Sequence, residues 1–203
     1  MNVRLFLGYA FSLIVMVMLL MEGASCCRDR EDLPLYKPTE SEMSWQIYRA
    51  YNVLIFRNQV GEIQANVVSA VNTEEFTDGG GGLQCGIYRT QSIKVSFIRQ
   101  DTIQNYFEIR AGTPDGTAYA YINWEGVGGY IPIDEIDNGN HSFNDYVTWY
   151  DTLKVGPKLY FDVMKFERST PVDSTTTLHR SLYYNKPNGV IRYDQDDIIW
   201  LRQ

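Results

Sequence analysis

YFEIRAGTPDGTAYAYINW, residues 106–124, is the stretch whose reading decides the fold. In YFEIRA (106–111), Phe107, Ile109 and Ala111 alternate with Glu108 and Arg110, the period of a strand with one face in a core and one in water. TPDG (113–116) supplies turn residues, and TAYAYINW (117–124) resumes an extended, aromatic-rich segment. Two antiparallel strands joined by a turn is the simplest reading. Upstream, SIKVSF (92–97) sets Ile93, Val95 and Phe97 against Lys94 and Ser96 in the same period. Downstream, YVTWY (146–150), KLYFDVMKFE (158–167), RSLYY (180–184), GVIRYD (189–194) and DIIWL (197–201) continue the series.

Two details refine it. In KLYFDVMKF the apolar face passes from Leu159, Phe161 and Val163 to Met164 and Phe166, and a bulge is expected there because one extra residue moves later side chains to the other face. YYNKPNGVIRY (183–193) reads as a hairpin with Pro187 and Asn188 at its centre and Gly189 in the left-handed conformation. The whole predicts a mainly β domain of roughly eight to eleven antiparallel strands, a β-sandwich or a partly closed barrel. One N-terminal helix is expected in addition. Thr39 and Glu42 have capping-box spacing, and Met43, Ile47, Tyr48, Tyr51, Leu54 and Ile55 recur at helical intervals. Residues 51–56 and 62–71 also fit strands, so helix or strand stays open over 40–71.

Composition excludes some functions. The chain has 203 residues and a formal charge of −7. A nucleic-acid binder needs a basic face, and none is indicated. Aromatic residues make up 14%, including 15 tyrosines and 4 tryptophans, which suits wide strand faces. Three cysteines, two of them adjacent, do not make a disulfide framework.

Arg4, the apolar run Leu5–Met21 and the small residues Gly23, Ala24 and Ser25 before Cys26 have the layout of a secretory signal. An uncleaved membrane anchor is the alternative for a run of this length. The segment GASC resembles the lipobox of bacterial lipoproteins, with Gly23 and Glu22 departing from it. The resemblance implies a signal peptide over 1–25 and acylation at Cys26, with Cys27 as the alternative. Two or more acyl chains hold a protein stably at a bilayer. RDRED (28–32) resembles the acid-rich signal that follows the lipidated cysteine in surface-exposed lipoproteins of Bacteroides-type bacteria; LPLYKP (33–38) reads as a stiff connector. The domain is then 39–203, after a tether over 26–38. The C-terminal segments 152–167 and 181–201 resemble the ending of uncharacterised β-rich lipoproteins of those bacteria, through Tyr160–Val163, Tyr183–Tyr184, Gly189 and Ile198–Leu201. That implies a lipid-anchored protein of the outer membrane, exposed at the cell surface, and transfers no functional residues.

No motif carries catalysis. DGGGG (78–82) is not followed by the Lys-Ser/Thr of a phosphate loop, and no nucleophile elbow or HExxH occurs. Cys85 reads as a lone thiol. IDEIDNGNHSFND (133–145) is oxygen-rich, but its spacing is not that of a calcium loop and polar turn residues are the default reading. Neither a metal site nor a cofactor is expected. Aromatic residues near polar loops, namely Trp124, Tyr130, Tyr146, Trp149 and Tyr150, are the candidates for stacking on a sugar or anchoring an envelope protein. Three functions follow: a non-catalytic ligand- or partner-binding lipoprotein, an extracytoplasmic glycan hydrolase using carboxylates such as Asp134 or Asp137, and an assembly subunit adding a strand to a partner.

Overall fold

The computed structural model describes residues 30–78, 87–99, 104–114, 116–141, 147–171 and 177–203. The signal segment, Cys26, Cys27, Cys85 and Tyr146 lie outside them. Contacts divide the chain into two units, 1–35 with 77–89 and 36–76 with 90–203. In the smaller, a 3-10 turn covers Arg30–Asp32 and the Arg89 amide donates to the Pro34 carbonyl at 2.8 Å.

The strands are β1 (Leu35–Tyr36), β2 (Val53–Asn58), β3 (Ile63–Asp78), β4 (Tyr88–Ile98), β5 (Gln104–Arg110), β6 (Tyr119–Trp124) and β7 (Val127–Pro132). They continue with β8 (Val147–Val155), β9 (Lys158–Pro171), β10 (Thr177–Asn185), β11 (Gly189–Gln195) and β12 (Ile198–Arg202). The sheet order is β7-β6-β5-β4-β3-β2-β12-β11-β10-β9-β8. From β2 to β7 and from β8 to β12 each strand neighbours the next in sequence, β2 pairs antiparallel with β12, and β1 pairs with β4 off this path; the sheet is nearly a closed barrel with one unsealed seam. Of the two expected architectures it is therefore the partly closed barrel. At the seam, a Cβ on Gly129 would press into the Phe166 ring, so β7 lies against β9 through side chains and not through a ladder.

Alternation puts the core where the sequence pattern requires. Phe107 and Ile109 of β5, Ala120, Ile122 and Trp124 of β6, and Val127 and Ile131 of β7 all turn inward. Leu54, Phe56, Val95, Phe97, Met164, Phe166, Leu182, Tyr184, Val190 and Tyr193 meet them there. Each large side chain fully removed from water contributes roughly 1.5–3 kcal/mol.

The expected N-terminal helix is much shorter than its periodicity suggests. The capping box forms, with the Glu42 amide donating to Thr39 Oγ1 at 3.3 Å and the Thr39 amide to Glu42 Oε2 at 2.6 Å, but the helix is only Glu40–Met43. Beyond it, Trp45 and Tyr48 leave helical geometry to reach the core. Tyr51 is 84% exposed with φ +66°, and Leu54 and Phe56 alternate inward from exposed Val53 and Ile55 as strand β2. Residues 63–78 are likewise strand, and 59–62 joins the two.

Trp45 and Tyr48 are fastened by two buried phenols. Tyr184 donates to the Trp45 carbonyl at 2.8 Å, and the Val190 amide donates to Tyr48 Oη at 2.9 Å. Burial pushes the Tyr48 and Tyr184 hydroxyls far above the ordinary tyrosine range, which keeps them neutral. The β10–β11 turn carries this contact. Asn188 donates to the Asn185 carbonyl at 3.1 Å, which centres the turn on Lys186 and Pro187, one residue earlier than expected. Gly189 does take a left-handed φ of +71°, and a Cβ there would overlap the Tyr48 hydroxyl.

In β9 the face switch centres on Asp162, whose φ is +54°. No net register shift accompanies it, because Asp151 of β8 is passed over together with Asp162 and pairing resumes at Thr152–Phe161. The register shift lies elsewhere, between Tyr183 and Tyr184 against β11. Beyond Asp162 a second small cluster forms, with Tyr150, Leu153, Tyr160 and Leu201 packed on Val155, Val163, Tyr183 and Ile191.

Tyr48→Phe leaves the buried Val190 amide without its acceptor and should destabilise the protein by about 1–3 kcal/mol in urea unfolding. Unchanged stability would show that this hydrogen bond does not hold the N-terminal segment to the barrel.

Candidate ligand-binding site

The alternation that sends Phe107, Ile109 and Ile122 inward sends their neighbours outward. Register then assembles those neighbours into a lattice. Lys94, Glu108, Tyr121 and Tyr130 lie directly across from one another on β4, β5, β6 and β7. Arg110 faces Tyr119, and Tyr106 faces Asn123. Tyr106, Glu108, Tyr119, Tyr121 and Tyr130 line an open pocket of about 350 Å³ on this face.

The rings meet in two ways. Tyr106 and Tyr121 stack with centroids 5.6 Å apart and planes 26° apart. Tyr130 stands edge-on to Tyr119 (5.2 Å, 74°) and to Tyr121 (4.9 Å, 65°), so ring faces converge from two directions. Partial burial raises the Tyr121 hydroxyl above the usual tyrosine range, reinforced by Tyr106 and Tyr130 and opposed by Arg168. Three cations border the site. The Lys94 ammonium lies 4.8 Å from the Tyr106 ring centroid. Arg110 lies 5.2 Å over Phe76 and reaches the Tyr119 hydroxyl at 3.4 Å, and Arg168 donates to the Gly126 carbonyl at 3.0 Å. Tyrosines with apolar faces and polar tips beside a carboxylate can stack on a flat ligand and fix its donors.

Among the described aromatic candidates read from sequence, Tyr130 alone belongs to this pocket; it is 61% exposed. Trp124 does not, and that expectation is corrected. It is 1% exposed and packs on Phe97 at 5.1 Å and Phe56 at 5.5 Å, because it falls on the inward phase of β6. Trp149 and Tyr150 are half-buried on β8, outside the pocket. Trp149 stacks on His141 at 3.9 Å and donates to Asp151 at 3.1 Å, while Tyr150 packs on the second cluster. Tyr106, Glu108, Tyr119 and Tyr121 were missed, although each sits on the outward phase of strands already recognised in the sequence.

The acidic stretch at 133–145 opens with a short helix, Ile133–Asp137, and its carboxylates hold the fold. Asp134 accepts from the Ala118 amide at 2.9 Å; Asp137 accepts from Ser41 at 2.9 Å and pairs with Lys186 at 2.8 Å. Among the described residues, no group of three or more His, Cys, Asp or Glu is arranged to hold a metal. Partial burial pushes the Asp137 carboxyl up, but the Lys186 and Ser41 bonds and the Lys186 charge outweigh it, leaving it below the usual range. Its folding contribution is therefore complete above the unfolded carboxylate pKa and lost as pH falls through the lower folded value. The stability difference between wild type and Asp137→Asn should shrink as the pH drops below about 3.9, the ordinary Asp value. A difference that persists there in acid unfolding curves would contradict that account.

A buried polar network backs the pocket hairpin. Glu125, in the β6–β7 turn, is 5% exposed with φ +51°, followed by Gly126 at φ +77°. Its Oε1 takes bonds from Arg99 at 3.1 Å and Asn105 at 3.3 Å, and its Oε2 from Gln195 at 3.2 Å. Its amide donates to Asn105 Oδ1 at 2.8 Å, and its carbonyl accepts from Arg180 at 3.0 Å.

Comparison with family models, with curated proteins and with solved structures finds no match for this chain.

Glu125→Ala removes the buried carboxylate that Arg99, Asn105 and Gln195 share and should cost about 1–3 kcal/mol by chemical unfolding, against a smaller loss for Glu125→Gln. Equal, small losses would mean that the charge contributes nothing to holding the turn.

Proposed function

We propose that this chain is a cell-envelope lipoprotein whose β barrel binds a glycan at the tyrosine pocket and performs no catalysis. The observation that carries the reading is the pocket of four tyrosines and one carboxylate on the outer face of β5, β6 and β7. A pyranose ring offers an apolar C–H face to a tyrosine ring and hydroxyls to its polar edge, and the pocket has the size of a small-ligand site. Glycosidic hydrolysis needs two carboxyl groups across the scissile bond, and Glu108 is the single carboxylate among the pocket's lining residues.

The envelope part of the reading rests on the Cys26 context and on the resemblance to lipoproteins of Bacteroides-type bacteria. Acylated at Cys26, the protein would present its pocket to polymer at the outer surface. Both parts can be tested together. Mass spectrometry of the mature N-terminus should find acylated Cys26, and Cys26→Ser should release the protein from membranes; an unmodified Met1 would sink the lipoprotein reading. In affinity gels cast with polysaccharide, a Tyr121→Ala, Tyr130→Ala double variant should lose all retardation that wild type shows. Retention equal to wild type would place the ligand elsewhere.

A further inference from the structure

We infer that the pocket selects a glycan bearing free amino groups, with the sugar's ammonium held between the Glu108 carboxylate and the tyrosine ring faces. The inference rests on the glycan reading above and names the substrate class within it.

Charge distribution is the first argument. Glu108 is the charged group among the lining residues, and no described residue gives its carboxylate a hydrogen bond or an ion pair. The cations around it are already engaged: Lys94 with the Tyr106 ring, Arg110 with Phe76 and the Tyr119 hydroxyl, and Arg168 with the Gly126 carbonyl. A uronate or sulfated polymer would have to displace those partners. An ammonium meets Glu108, a carboxylate to which no described residue donates.

Ring geometry is the second. A platform for a neutral sugar needs one flat face, but Tyr130 meets Tyr119 and Tyr121 at 74° and 65°. Electron-rich faces set at steep angles to one another, with a carboxylate beside them, favour a cation by the quadrupole attraction of the rings. Lys94 shows the preference within the protein itself, its ammonium 4.8 Å from the Tyr106 centroid on this surface. The stacked pair Tyr106 and Tyr121 is left for the sugar ring. At long range, a formal charge of −7 attracts a polycation and repels a polyanion.

The test is calorimetric titration of the mature protein with three hexamers, of glucosamine, of N-acetylglucosamine and of glucose (cellohexaose), at a pH that keeps the amine protonated. A lysine-rich peptide forms a fourth arm. Wild type should bind the amino hexamer about tenfold or more tighter than the acetylated one, as one charge-assisted contact implies. Glu108→Gln should bind the two alike, and Tyr130→Ala should weaken both. Thermal melts establish that each variant is folded, which the exposure of these side chains favours.

Equal wild-type affinity for amino and neutral hexamers would overturn the inference and leave the glycan reading standing. A preference that survives in Glu108→Gln would overturn it as well, since the ammonium would then sit elsewhere. Binding of the peptide with no binding of any hexamer, or no binding at all, would overturn both.

Discussion

Two phenol hydrogen bonds hold the N-terminal segment of the barrel unit in place, and much of the structure depends on them. Tyr184 donates to the Trp45 carbonyl, and Tyr48 accepts from the Val190 amide. Both bonds lie where water does not reach, so each satisfies a backbone group that would otherwise be buried without a partner. The rings that deliver them are also the packing. Tyr184 stacks between Trp45, at 6.4 Å, and Phe107, at 5.6 Å, while Tyr48 meets Phe97 and Phe107 edge-on at 4.8 and 5.8 Å. Segment 44–52 has almost no regular structure, yet it is fixed. Gly189 is required opposite it because any side chain would collide with Tyr48. Hydrogen bond, stack and glycine form one unit joining the segment before β2 to the β10–β11 turn.

The pocket follows from the same packing, seen from outside. Strand period is strict, so every inward Phe107, Ile109 or Ile122 commits its neighbours to the other face. That places Tyr106, Glu108, Tyr119 and Tyr121 on a surface whose backbone is held from below. β7 completes it as an edge strand with two adjacent glycines. Gly128 would collide with the Ile122 carbonyl and Gly129 with Phe166 if either carried a Cβ, so Tyr130 is the large outward side chain there. The Tyr130 ring is 61% exposed and able to meet a ligand.

The β class and most strands were legible because two-residue alternation survives any tertiary context. What failed did so for identifiable physical reasons. Met43, Ile47, Tyr48 and Tyr51 mimic a helical stripe, but Trp45 and Tyr48 serve contacts with residues some 140 positions later, which no local period encodes. Trp124 neighbours polar loops in the sequence, yet the alternation of TAYAYINW from Ala118 and Ala120 puts it inside. The pocket itself needed register, since Glu108, Tyr121 and Tyr130 become neighbours only once three strands are aligned. Their outward phase was readable, but their convergence was not. The paired skip at Asp151 and Asp162 was legible as a switch of face, and its lack of register change was not, because that depends on both strands adapting together.

The β6–β7 turn shows why the pocket hairpin keeps its shape although one edge has no ladder partner. A two-residue turn with φ +51° and +77° suits Asn-Gly or Gly-Gly, and a glutamate in the first position carries backbone strain. What offsets the strain is reach. The longer side chain turns back under the hairpin so that one carboxylate binds Arg99 after β4, Asn105 on β5 and Gln195 on β11. Asparagine at that position would satisfy the turn but is too short to span the same partners. The hairpin bearing Tyr119, Tyr121 and Tyr130 is thereby pinned at its tip to strands on both sides of the barrel. The spacing of those rings then depends on a buried charge at the turn as well as on the ladder beside them.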